Sequence, residues 1–85
     1  MTAQPDQKRI EMEAARICAA IERLWPEVSS EVGLETQEGE DAYVWLSVPD
    51  RDYYDVLIDA SQLSVDLYND TGIYILPMPT RKGAE

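Results

Sequence analysis

Histidine is absent from this 85-residue chain, which removes the commonest general base and the commonest transition-metal ligand together. The serines at 29, 30, 47, 61 and 64 therefore have no imidazole to activate them, and neither does Cys18. Nucleophilic catalysis finds no support. Cys18 is the single cysteine, so it has no internal disulfide partner, and its apolar helical position predicts a buried structural thiol. The glycines at 33, 39, 72 and 83 stand alone and build no phosphate-cradling loop. No apolar run approaches the ~18 residues that span a bilayer. The first nine residues are polar and carry Asp6, unlike a signal peptide, so the expected location is the cytoplasm.

Basic residues are also scarce, seven against 17 acids, for a formal charge of -10. That field repels phosphate backbones, which argues against direct DNA or RNA binding. It keeps the chain soluble, and it would steer association with a basic partner. A hydrophobic content of 45% is ordinary for a folded domain. The length suits one domain over residues 1–85, with 1–4 and 80–85 read as frayed tails.

Two amphipathic stretches are present. After Pro5 and Asp6, the residues Ile10, Ala14, Ile17, Cys18, Ile21, Leu24 and Trp25 recur at three- and four-residue steps until Pro26. This predicts a helix of about five turns, with Arg9, Arg16 and Arg23 along one flank. The second stretch, Asp52–Asp70, gathers Asp52, Asp55, Asp59, Gln62, Asp66, Asn69 and Asp70 into a sector roughly 100° wide. Tyr53, Val56, Leu57, Ala60, Leu63 and Leu67 form the opposing stripe, with Tyr54, Ile58 and Val65 beside it. Asp50 is placed to cap this helix, and Gly72 to end it with a positive φ. Packed side by side, the two helices would either oppose the Arg flank to the Asp stripe or leave both solvated.

Between them lie two alternating segments. Val28, Val32, Leu34 and Thr36 face opposite to Glu27, Glu31 and Glu35, and Ala42, Val44, Leu46 and Val48 face opposite to Tyr43 and Trp45. A turn at Glu38-Gly39-Glu40-Asp41 would close them into an antiparallel hairpin. Ile73–Leu76, ended by Pro77, is apolar on both faces and predicts a parallel strand, the central or best-covered one of the sheet. The expected fold class is α+β, a two-layer sandwich of order α-β-β-α-β with two helices on one face of a three-stranded mixed sheet. A second template also fits the end of the chain. Ser64–Tyr68 and Ile73–Leu76 could form a hairpin about Asn69–Gly72, giving a helix and an antiparallel meander. The helix template accounts for seven polar positions, and the hairpin for only the last few.

Carboxylates are the abundant reactive groups. Asp50, Asp52 and Asp55 fall within about one turn, where a divalent cation could be held. Tyr54 and Val56 occupy positions where a calcium loop needs further ligands and a glycine, and capping plus dipole compensation accounts for the acids without a metal. Glu38, Glu40 and Asp41 read as a solvated turn. No catalytic residue, metal site or cofactor is expected.

The element order resembles that of very small nucleotidyltransferases, which bind Mg²⁺ and a nucleotide through paired carboxylates on the hairpin. Such enzymes carry Gly-Ser followed some ten residues later by Asp-x-Asp. Here Gly33 is followed by Leu34, and Asp41-Ala42-Tyr43 has one acid where the resemblance calls for two. The resemblance implies at most a degenerate or minimal member with carboxylate metal or nucleotide binding.

Surface chemistry is the stronger signal. Tyr54, Ile58 and Val65 extend the apolar arc beyond what a sheet and one neighbouring helix would cover, and Tyr43 and Trp45 sit on the wet sheet face. Exposed aromatic patches mark interfaces. The expected function is that of a small acidic, non-enzymatic interaction module. It would form a homodimer through Tyr43, Trp45, Tyr54, Ile58 and Val65, with Asp52, Asp55, Asp59 and Asp66 selecting any basic protein partner. An inhibitor or immunity-type protein is one specific form.

Overall fold

The computed structural model describes residues 7–34 and 39–82. The order is α1 (Gln7–Leu24), β1 (Ser29–Gly33), β2 (Ala42–Pro49), a 3₁₀ turn (Asp50–Asp52), α2 (Tyr53–Thr71) and β3 (Ile75–Lys82). The expected α+β sandwich is the observed one, and the meander is excluded because Ser64–Tyr68 is helical. The sheet order is β1-β2-β3, antiparallel between β1 and β2 and parallel between β2 and β3.

The alternation of β2 explains the two layers. Ala42, Val44, Leu46 and Val48 are fully buried and meet Ile10, Ala14, Ile17 and Ile21 of α1 and Val56 and Ala60 of α2. Tyr43, Trp45 and Ser47 take the opposite face, as alternate side chains must. Gly39 and Gly72 both have positive φ, +94° and +81°. The Gly72 N–H bonds the Tyr68 carbonyl at 2.8 Å and closes α2, and its positive φ then turns the chain away, as a C′ glycine does.

Several expectations are corrected. Asp50 does not cap α2, because the chain enters through a 3₁₀ turn and Asp50 instead pairs with Arg81 Nε at 2.7 Å. Leu24, at the last turn of the α1 stripe, is 60% exposed. On β1, Leu34 lies beyond the strand and is exposed, and Glu35 and Thr36 lie outside the described residues. The turn is described only from Gly39 onward.

The largest correction concerns β3. It is an edge strand, not the central one, and it runs through Pro77 and Pro79 to Lys82. The Tyr74 carbonyl accepts from Ala42 N at 3.4 Å, so the even-numbered residues of β3 turn their backbone groups toward β2. The odd-numbered residues turn theirs away, and the prolines sit where no N–H is needed. Residues 80–82, expected to fray, are pinned. Arg81 stacks over the Tyr53 ring at 4.1 Å, and Lys82 Nζ donates to the Glu27 carbonyl at 2.6 Å. The ends 1–4 and 83–85 lie outside the described residues.

Candidate interaction surfaces

Two of the three acids at metal-like spacing, Asp50 and Asp52, lie against basic side chains. Asp50 pairs with Arg81, Asp52 lies 3.8 Å from Arg51 Nε, and Arg51 also pairs with Glu27. Among the described residues no group of three or more His, Cys, Asp or Glu side chains could hold a metal ion. On the hairpin, Asp41 Oδ2 accepts the Tyr74 N–H at 2.8 Å. That bond ties the start of β2 to the approach of β3.

On the Arg flank of α1, two residues pair within their own helix. Arg9 and Arg16 reach Glu13 at 3.5 and 3.4 Å, across i,i+4 and i,i+3 steps. Just past α1, Trp25 Nε1 donates to Asp59 Oδ2 of α2 at 2.9 Å. Asp59 is thus half-buried and structural. Asp52 is also half-buried, and Asp55 and Asp66 are exposed, with Gln62 donating to Asp66.

The apolar residues expected at one interface fall on two surfaces, because the sheet and helix layers each have an outer side. On the open sheet face, Tyr43 and Trp45 meet edge-to-face at 5.3 Å. The Tyr43 ring lies where a Cβ on Gly33 would be, 2.2 Å from Tyr43 Cε2, so Gly33 makes the space the ring fills. The register places Leu76 and Met78 beside Tyr43 and Trp45. The face these four share appears once the register is known.

The second surface is the outer side of α2. Tyr54, Ile58, Val65 and Tyr68 are 65%, 64%, 52% and 54% exposed. Ser64, Val65, Tyr68 and Tyr74 line an open groove of about 310 Å³, with the Tyr68 and Tyr74 rings edge-to-face at 6.3 Å. Tyr54 at the other end is held in place. Its ring packs edge-to-face on Tyr53 at 5.2 Å, and its hydroxyl lies 3.4 Å from an Arg81 nitrogen. Tyr68 and Tyr74 were missed as surface residues, although Tyr68 extends the 54, 58, 65 spacing by three.

Cys18 is half-buried, where its helical position predicted a buried thiol. Burial pushes its thiol up, the nearby Glu22 carboxylate acts in the same direction, and a hydrogen bond with Ser30 opposes them. The folded chain therefore holds the thiol proton to higher pH than the unfolded chain. This contribution to stability is complete below the ordinary thiol value and is lost as pH rises through the folded one. We expect Cys18 to alkylate more slowly than a free thiol at pH 8. Wild type should also lose more stability than Cys18→Ala as the buffer is taken above pH 9. Equal alkylation rates for native and urea-unfolded protein would contradict this.

Comparison with protein-family models, with curated proteins and with solved structures gives no match to the chain.

Proposed function

We propose that this chain is a small acidic protein-interaction module that works by self-association. The observation that carries the reading is the row of Tyr54, Ile58, Val65 and Tyr68, exposed on α2 in a domain whose core is already filled by the opposite side of that helix. A second apolar layer on a helix whose first is satisfied marks a surface for another protein. The flanking carboxylates Asp55 and Asp66 are exposed and support a second form of the reading, in which the same surface also takes a basic protein partner.

Sedimentation velocity tests the proposal. Between about 1 and 100 µM, the sedimenting mass should rise from 9.6 kDa toward twice that value. A fixed monomer across this range would refute self-association. A basic partner would then have to be sought separately, and its capture should weaken as salt is raised.

A further inference from the structure

We infer that α2 carries a self-complementary seam, and that its occupant is α2 of a second copy lying antiparallel across a two-fold axis at Ser61. The inference rests on the self-association reading and specifies its geometry. Tyr54, Ile58, Ser61, Val65 and Tyr68 follow one another at steps of four, three, four and three. This 3.5-residue period is that of a helix–helix seam, and the packed side, Val56, Ala60, Leu63 and Leu67, repeats in the same way. The β-branched residues Ile58 and Val65 fall at one kind of seam position, which favours pairs of helices. Tyr54, Ser61 and Tyr68 fall at the other.

The order reads the same in size from either end: tyrosine, branched aliphatic, serine, branched aliphatic, tyrosine. Tyr54 and Tyr68 each lie seven residues from Ser61, about 10 Å along the axis. An antiparallel copy therefore sets Tyr54 against Tyr68 and brings Ile58 within one residue of Val65, twice over, with the small Ser61 allowing close approach at the centre. This is the i-to-j, j-to-i pattern that a two-fold interface requires. Each tyrosine at position 54 then meets the groove lined by Ser64, Val65, Tyr68 and Tyr74 on the other copy. A parallel pair would set Tyr54 on Tyr54 and leave both grooves open.

Charge loosens this arrangement, and area permits it. Along the acidic flank, an axis at Ser61 brings Asp55 within one residue of the height of Asp66 of the second copy, so like charges lie beside the seam and oppose association. A fully exposed aromatic offers about 150–250 Å². On that scale the exposed parts of Tyr54, Ile58, Val65, Tyr68 and Tyr74 come to about 500 Å² per copy. Two copies bury on the order of 1,000 Å², at the lower bound for a specific interface. The dimer is therefore weak and reversible, and with -10 on each chain it tightens as salt screens the repulsion.

The test combines association with cross-linking, with folding of each variant checked by circular dichroism. Ile58→Asp, at an exposed position, should leave the fold intact and weaken association by at least about 100-fold. Trp45→Glu, on the open sheet face, should leave association unchanged. In a Cys18→Ala background, Ser61→Cys should form a disulfide-linked dimer on mild oxidation. Tyr54→Cys alone should not, because its two copies lie about 20 Å apart, whereas Tyr54→Cys mixed with Tyr68→Cys should. A wild-type dimer that survives Ile58→Asp but is lost in Trp45→Glu would move the interface to the sheet and overturn the seam while leaving self-association standing. Ready self-linking of Tyr54→Cys would overturn the antiparallel order. A wild type that stays monomeric would overturn the seam and the reading beneath it.

Discussion

Leu46→Ala should lower the stability of the folded chain by about 3 kcal/mol, a large share of what a domain this small possesses. Leu46 is fully buried at the middle of β2, the central strand, with Ser30 of β1 and Pro79 of β3 beside it in register. Val44 and Val48 flank it on the same face, and both helices cover it. Removing its three outer carbons forfeits their burial and leaves a void that a strand held on both sides cannot close. A domain of this length is expected to have about 5–10 kcal/mol in total. With a urea slope near 1 kcal/mol/M, the unfolding midpoint should fall by about 2–3 M. Leu24→Ala is the comparison, since Leu24 belongs to the same kind of apolar pattern but is 60% exposed, and its midpoint should move by less than about 0.5 M. Equal shifts for the two variants would refute the assignment of the core.

That pair also shows what periodicity can and cannot locate. The alternation from Ala42 to Val48 was legible because every second residue is aliphatic and a sheet has only two faces. All four inward residues are fully buried. Leu24 misleads because a helical stripe continues to the last turn whether or not anything lies beneath it there. β3 was misread for a different reason. A proline removes one backbone donor, and whether that matters depends on which side of the strand faces a neighbour. Only strand order settles this, and strand order is a long-range property. Asp50 follows the same rule. Its sequence context suits an N-cap, yet Arg81 competes for the carboxylate from 31 positions away.

The surface residues were legible individually, because an apolar arc wider than a helix can bury must leave something outside. Tyr54, Ile58 and Val65 are all exposed, as expected. Their separation from Tyr43 and Trp45 follows from layering, since the core lies between the inner sheet face and the inner side of α2. The Asp stripe divides for a similar reason. Asp59 lies toward α1 and accepts from Trp25, and Asp55 and Asp66 face solvent.

Ser64→Val should cost about 2–3 kcal/mol, although it replaces one small side chain with another of higher hydrophobicity. Ser64 is buried on α2, and its hydroxyl donates to the carbonyl of Ile75, itself buried. That carbonyl belongs to the odd-numbered side of β3, the side turned away from β2, so it has no strand to bond to. Valine would leave it desolvated and unpaired, a loss of about 1–3 kcal/mol, and would force extra volume into a packed site. Ser64→Ala removes the same bond without the added volume and should cost about 1 kcal/mol, after the better helix propensity of alanine offsets part of the loss. Urea unfolding of the three proteins at one low concentration checks the order. A valine variant as stable as wild type would show that the hydroxyl contributes nothing. The same bond bears on the outer edge of the sheet. Tyr53 donates from α2 to the Pro79 carbonyl at 3.4 Å, and Pro77 and Pro79 present no N–H, so strand addition along β3 finds few free groups. Ser64→Val should therefore reopen that edge while leaving Ile58 and Val65 in place.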